Sequence, residues 1–541
     1  MLPGRAGMTS RLPPQPLAMA TTAWGAGDRP PSEFWEVRVM RALKKFFPIF
    51  IGLLFLLSPV SAVEYRAENG KIYADGNEIH LYGVSWFGFE LKDHVVFGLT
   101  QRNWKEILQD VKRLGFNAVR LPFCSESIKP GTKPNLNKIN YELNPDLKNL
   151  TSLEIMEKII AYANELGIYV LLDYHRIGCA YIEPLWYTDE YPEEQYIADW
   201  VFLAERFGRY PNVIGADIKN EPHDEASWGT GDETDFRLFA ERVGKAILEK
   251  APHWLIFVEG VQYTHLSEID SKNPYPCFWG ENLMGVREYP VRLPEGKVVY
   301  SPHVYGPSVY EMPYFSDPSF PDNLLEIWEL HFGYLKDLNY TLVIGEWGGN
   351  YEGKDKVWQD KFSEWLVEKG IHDFFYWCLN PESGDTKGVF LDDWKTVNWE
   401  KMRVIYRAIK ASNPEFEEPL YIILKANTTS RVLDKGERIK LYWYTSGEVV
   451  DSNFADLSEG EIEIELNQST TFYIAARKGG EVKNESIRFS VIEPNTPSGE
   501  ETETPTVPET TPKSGEHSST SWLFLALLLL AAVAVLAKLR R

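Results

Sequence analysis

Between residues 65 and 412, apolar strand-like runs alternate with helical patterns, and that alternation restricts the fold more than any other property of the chain. The runs cover 81–89, 117–123, 169–175, 213–219, 254–259, 298–304, 342–346 and 374–379. Between most of them apolar residues recur at helical spacing. Trp104, Ile107, Leu108 and Val111 fall on one face, with Gly115 just beyond. Thr151 and Glu154 stand in capping-box spacing before a pattern that closes at Gly167. Further helices are expected over 193–207, 235–250, 323–336 and 354–369. Strands separated by helices run parallel, because each crossover returns the chain to the same end of the sheet. About eight such units over ~350 residues predict an α/β domain of the (β/α)8 TIM-barrel class, placed at 63–414. A doubly wound open sheet is the alternative, and no glycine-rich phosphate loop supports it.

The flanks read differently. Residues 1–39 carry no periodic pattern and are expected to be a mis-called or disordered extension. Residues 40–62 combine Lys44 and Lys45, an apolar run and a small-residue end, the pattern of a signal peptide. Short alternating runs over 415–493, divided by turn residues, predict a small all-β sandwich of Ig/fibronectin type. Residues 494–520 are rich in Pro, Thr, Ser and Glu and read as a stalk. Trp522 opens an apolar run within 521–541 that ends in Lys538, Arg540 and Arg541, the pattern of a C-terminal membrane anchor with a basic tail. A secreted protein held to the outer face of a membrane is the expectation. The net charge of -22 argues against nucleic acid as a partner, since phosphate binding needs a basic footprint. Nothing in the pattern asks for an oligomer, and a monomer is expected.

Polar residues gather where the runs end. Arg120 lies in V-R-L-P-F, His175 ends L-L-D-Y-H, and Asn220 and Glu221 lie in I-K-N-E-P. His303 and Tyr305 lie in P-H-V-Y, Glu346 in I-G-E-W-G-G, and Trp377 in F-F-Y-W. Each alone is readily a structural residue. Their recurrence at one end of successive strands is the signal, because that end of a barrel carries its active site. Two carboxyls at strand ends suit acid–base chemistry on a glycosidic bond, with one protonated to release the leaving oxygen and one ionised to attack the anomeric carbon. Arg120 and Tyr305 near Glu346 are expected to keep it ionised, and its charge is expected to raise the pKa of Glu221. Asn220 is placed to hold a sugar hydroxyl and Trp377 to stack under a sugar ring. The 18 Trp of the chain fit such a cleft as well as a core.

These residues resemble glycoside hydrolase family 5. The stretch I-K-N-E-P at 218–222 matches the family signature around its acid/base, and I-G-E-W-G-G around Glu346 matches its nucleophile. Arg120, His175, Asn220, His303, Tyr305 and Trp377 match the other positions of its eight-residue site. Residues 65–412 are similar to the archaeal endoglucanases of that family, including G-V-S-W-F-G-F-E at 83–90 and L-P-F-C-S-E-S at 121–127. Ser85 stands where relatives often carry Asn, and Cys378-Leu379 where Ser-Trp is expected. The resemblance implies a retaining endo-β-1,4-glucanase acting on β-glucan, with Glu221 as acid/base and Glu346 as nucleophile, and needing no metal or cofactor.

Cys124 and Cys179 each lie just past a strand end, on neighbouring strands, so a disulfide between them is geometrically reasonable. Cys277 and Cys378 are left open. The same scaffold also serves a β-mannanase, xyloglucanase or lichenase, with the choice made in the insertions at 125–150, 180–200 and 262–297. A non-catalytic glycan-binding surface protein is the reading of another class. A metalloenzyme would want more clustered ligands than His175 and His303 supply.

Overall fold

In the computed structural model, which describes residues 63–493, the eight runs become eight parallel strands. They are β1 (Tyr82–Ser85), β2 (Ala118–Cys124), β3 (Tyr169–Arg176), β4 (Val213–Asp217), β5 (Leu255–Val258), β6 (Val298–Tyr300, continued by His303–Tyr305), β7 (Ile344–Gly348) and β8 (Phe374–Tyr376). Each pairs with the next in sequence, and β8 pairs with β1. The first half of β6 pairs with β5 and the second with β7, the two halves being parted at Ser301-Pro302. The sheet therefore closes on itself, and the open-sheet alternative is excluded. Pro302 has no N–H for a ladder, which accounts for the break.

Strands covered on both faces read as continuous apolar runs, and most residues of these eight are buried. Leu81, Ala118, Leu171, Ile214, Leu255, Phe257, Val299, Val343 and Phe375 form one core cluster with Tyr65 and Ile72. Tyr65 and Ile72 belong to a three-stranded antiparallel meander (Tyr65–Glu68, Lys71–Ala74, Asn77–Ile79) that the sequence pattern does not announce, its strands being only three or four residues long. A Cβ on Gly83 of β1 would lie 2.1 Å from the Phe375 ring, so glycine there makes room for the aromatic filling.

The helices carry the second layer. Trp104–Arg113 buries Trp104, Ile107, Leu108 and Val111, the face its spacing predicts. Ser152–Leu166 starts at a complete Thr151/Glu154 capping box and stops at Gly167 in the left-handed region. Glu193–Phe207, Phe236–Lys250, Gly353–Lys369 and Trp399–Ser412 also bury large apolar residues, such as Trp200, Phe239, Trp358 and Ile405. The crossover from β6 to β7 is Leu324–Trp328, a π-helical turn at Glu329–Gly333, and Tyr334–Asp337. The β5–β6 crossover has only Ser267–Asp270 and a 3-10 turn at Met284–Arg287, which leaves a long loop beside the strand ends.

Cys124, the last residue of β2, is bonded to Cys179 beyond β3, across 55 residues of sequence. Cys179→Ser is expected to lower stability by about 2–4 kcal/mol, because the unfolded chain regains the freedom of that loop. Thermal unfolding of the oxidised wild type and the variant checks this; equal Tm values would mean the bond constrains nothing. Cys277 and Cys378 are free and buried.

Residues 422–492 form a three-stranded and a four-stranded sheet, a C-terminal β domain. Its Trp443 is buried, whereas Tyr442 is 40% exposed. By contact density the described chain divides into two units: 63–424 with 442–460 and 473–485, and 425–441 with 461–472 and 486–493. Among the described residues no helix is long and apolar enough to cross a membrane. The expected extension (1–39), signal peptide (40–62), stalk (494–520) and anchor (521–541) lie outside the described residues.

Candidate active site

The barrel brings all eight sequence-selected residues to the carboxyl end of its strands, around one buried guanidinium. Arg120, from β2, is fully buried. Its Nε donates to Asp217 Oδ2 at 2.9 Å, its Nη2 to Asn220 Oδ1 at 2.9 Å, and its Nη1 to Glu346 Oε1. Asp173 Oδ2 lies 3.1 Å from Nη2 and Glu259 Oε1 3.7 Å from it. One cation thus faces four carboxyls. Asp173, Asp217 and Glu259 were not singled out from sequence. Their signal was there: each is a lone acid inside or at the end of an apolar run, at L-L-D-Y, G-A-D-I and F-V-E-G.

Glu346 lies in β7 directly opposite His303 of β6. The Tyr305 hydroxyl donates to Glu346 Oε2. Glu221 lies four residues beyond the last ladder residue of β4, in a turn where its φ is +50°. Beyond Asp217 the chain still bonds its neighbours, Ile218 N–H to the Phe257 carbonyl and Asn220 N–H to the Tyr174 carbonyl, up to the turn before Pro222. The Glu221 main-chain N–H donates to Glu259 Oε2 at 2.7 Å. His303 Nδ1 is 3.3 Å from Glu221 Oε1 and 3.6 Å from Glu346 Oε2. Carboxyl oxygens of Glu221 and Glu346, with a His303 nitrogen, lie within 4.8 Å of one another. His175 Nδ1 is 2.7 Å from Asp173 Oδ2, and its ring stacks on Trp377 at 5.6 Å. Phe87 stacks on Trp377 at 5.5 Å. Cys378 and Leu379 are fully buried, so neither offers a face to the site.

Burial shapes the electrostatics. It is the largest influence on Glu221, which is pushed well above the ordinary carboxyl range, with the neighbouring Glu346 adding to the shift. Glu346 is raised to about 7, again by burial, while Arg120 and the Tyr305 hydroxyl pull it back. This corrects the expectation that Arg120 and Tyr305 keep Glu346 ionised: they lower its pKa, but desolvation outweighs them, because Glu346 is almost wholly removed from water and Arg120 is shared with three other carboxyls. Arg120 and the Tyr305 hydroxyl both hydrogen-bond Glu346 and not Glu221, so Glu346 is the better stabilised of the two as an anion. His175 and His303 are held neutral by burial. The Asn220 Nδ2 is buried with no hydrogen-bond partner among the described residues, a donor left open to a ligand.

Two cavities share Glu221, Tyr305 and Val309 in their linings. One of about 590 Å³ is lined by Glu221, Tyr305, Phe278, Trp279, Tyr310 and Met312 among others. The other, about 290 Å³, is lined by His175, Glu221, Tyr305, Glu346, Trp377 and Asp385 among others. Trp279, 40% exposed and stacked on His223 at 3.7 Å, and Tyr310, 64% exposed, give the larger side aromatic surfaces. Several acid–histidine groups lie close enough to suggest a metal, but at the barrel end Arg120 already supplies the positive charge between them. A separate buried group pairs His331 with Glu281 at 2.8 Å and Asn273 at 3.1 Å, next to Cys277.

The model of the family described as Cellulase (glycosyl hydrolase family 5) matches residues 72–383. The Major extracellular endoglucanase of Xanthomonas campestris pv. campestris is 44% identical over 350 residues, covering 64% of this chain and 71% of that protein. An Endoglucanase of Paenibacillus polymyxa is 41% identical over 391 residues, covering 68% of this chain and 96% of that protein. A cellotetraose complex of a variant endocellulase from Pyrococcus horikoshii superposes with a TM-score of 0.63 at 52% identity, covering 65% of this chain and all of that one. The chain belongs to glycosyl hydrolase family 5, the cellulase family.

Proposed function

We propose that this chain is a retaining endo-β-1,4-glucanase that cleaves internal bonds of cellulose and related β-glucans by double displacement. The observation that carries the reading is the approach of carboxyl oxygens of Glu221 and Glu346 to within 4.8 Å, where two cavities share Glu221 and Tyr305 in their linings. Retaining glycosidases hold their two carboxyls ≈ 5–5.5 Å apart, whereas inverting ones leave more room for a water. Two adjoining cavities suit a chain that continues past the cleavage point in both directions.

Glu346, the more readily ionised of the two, attacks the anomeric carbon. Glu221 gives its proton to the leaving oxygen, then takes one from the water that releases the glycosyl-enzyme. Asn220 Nδ2 meets the 2-hydroxyl, a contact that strengthens in the oxocarbenium-like transition state. Trp377, backed by Phe87 and His175, is the stacking floor for the sugar beside Glu346. The aromatic side of Trp279 and Tyr310 takes the leaving part of the chain. Tyr305→Phe removes a hydrogen bond that lowers the pKa of Glu346. Since Glu346 must be deprotonated to attack, the acid limb of the kcat/KM profile is expected to move to higher pH, with kcat reduced by ~10²-fold. An unmoved acid limb would remove Tyr305 from this role.

Hydrolysis of carboxymethyl-cellulose, barley β-glucan and mannan by residues 63–493 tests the substrate. Reducing ends released from the two glucans support the reading. Activity on mannan alone keeps the mechanism and changes the substrate. Binding without turnover leaves a glycan-binding surface protein. The domain plan, with a signal peptide at 40–62, a stalk at 494–520 and an anchor at 521–541, is proposed to export the enzyme and hold it outside the cell. The extracellular relative of Xanthomonas campestris pv. campestris supports export.

A further inference from the structure

Glu259 is a buried acid that the mechanism above leaves without a task. It follows β5 and is fully buried. Its Oε2 accepts the main-chain N–H of Glu221 at 2.7 Å, at the one place where Glu221 turns into the left-handed region. A non-glycine residue holds such a conformation only when its surroundings impose it. The Glu259 Oε1 lies 3.2 Å from His303 Nε2, whose other nitrogen faces the Glu221 carboxyl. One side chain therefore touches both the backbone of Glu221 and the ring beside its carboxyl.

The surroundings also bear on its protonation. Arg120, 3.7 Å from Glu259, is closer to Asp173, Asp217 and Glu346 and bonds two of them directly. Lys219, also buried, gives its ammonium to the Asn220 carbonyl. Asp217 and Glu259, with His303, bring ligand atoms within 4.8 Å of one another, and Asp217 Oδ1 and Glu259 Oε1 are both buried without a hydrogen-bond donor. Two facing acceptors are both satisfied when one proton lies between them. Gly280 closes the remaining side: its φ is +72°, and a Cβ there would sit 2.5 Å from Glu259 Oε2. The loop main chain is thus pressed onto the carboxyl, which keeps water from replacing its bonds.

We propose that Glu259 is the positioning residue of the acid/base Glu221, and that it acts as a neutral carboxylic acid: it accepts from the Glu221 N–H and donates to Asp217. An ionised Glu259 would add a negative charge beside a group that must give up a proton and carry charge itself. The neutral acid holds Glu221 without that repulsion. Its burial favours the same form. The inference rests on Glu221 being the acid/base.

The test uses two aryl β-cellobiosides, one leaving as phenol and one as dinitrophenol. Only the first needs a proton from the enzyme, so a misplaced Glu221 is felt there alone. Glu259→Ala is expected to lower kcat/KM on the phenyl substrate by on the order of 10²-fold with little effect on the dinitrophenyl one. Glu259→Gln, which still accepts at one atom and donates at the other, is expected to stay within about threefold of wild type on both. Equal losses on both substrates, or a Gln variant as impaired as Ala, overturn the proposal. Glu221→Ala is the reference. If it shows the leaving-group split and Glu259→Ala does not, only the positioning inference fails. If Glu221→Ala shows no split, the acid/base reading fails and takes this one with it. Should the Ala variant fail to fold, the Gln variant decides by itself.

Discussion

Glu346→Ala is expected to lower kcat on soluble β-glucan by about 10⁴-fold or more, with cello-oligosaccharide binding little changed. The side chain is reached by Arg120 and Tyr305, both of which remain, and Trp377 stands apart, just after β8. The loss is therefore a loss of the attacking group and not of the groove. Adding azide with an activated aryl cellobioside makes the test sharper. Azide entering the space left by Glu346 attacks the anomeric carbon from the face the carboxylate used, and a single displacement gives the α-glycosyl azide. In Glu221→Ala the covalent intermediate still forms with a good leaving group, and azide then attacks from the opposite face to give the β-glycosyl azide. The same anomer from both variants, or residual turnover of wild-type size in Glu346→Ala, would end the assignment of these two roles.

Arg120→Met is expected to do more harm to the fold than any other single change in the site. Removing one partner of a buried ion pair typically costs 3–5 kcal/mol, because the other charge is left without compensation. Here the abandoned groups are Asp173, Asp217 and Glu346. With the guanidinium gone, their folded-state pKa values rise further. A carboxyl with a raised folded pKa binds more protons folded than unfolded, so stability falls as pH climbs from the ordinary carboxyl range through the raised value. The variant is expected to lose on the order of 10 °C in Tm, and to lose more at pH ~8 than at pH ~5. Differential scanning calorimetry at both pH values is the check. A Tm within ~2 °C of wild type at both would show that Arg120 neutralises nothing that matters. Turnover should fall as well, since Glu346 would be kept protonated.

Much of this was open to reading from the chain. Eight apolar runs, the helical faces of Trp104–Arg113 and Ser152–Leu166, and the polar residues at the run ends are local patterns. Local patterns survive in one dimension because side-chain period and capping chemistry act over a few residues. The family signature at 218–222 and the I-G-E-W-G-G stretch are equally local, and they point to Glu221 and Glu346, the pair proposed above as acid/base and nucleophile. What escaped was of two kinds. The meander at 65–79 has strands too short for a periodic signal. The acids Asp173, Asp217 and Glu259 looked like isolated polar residues, since nothing in sequence says that three different strands aim them at one arginine.

The sequence by itself determined the class of fold, the strand ends where polar residues gather and the two carboxyls proposed to react. Only the tertiary structure decided that the sheet closes, that Glu221 and Glu346, 125 positions apart, bring carboxyl oxygens within 4.8 Å, and that burial raises both of them. The reason is physical. A pKa depends on desolvation and on charges brought in from distant strands, and a separation across a barrel depends on closure; neither quantity exists until the chain has folded.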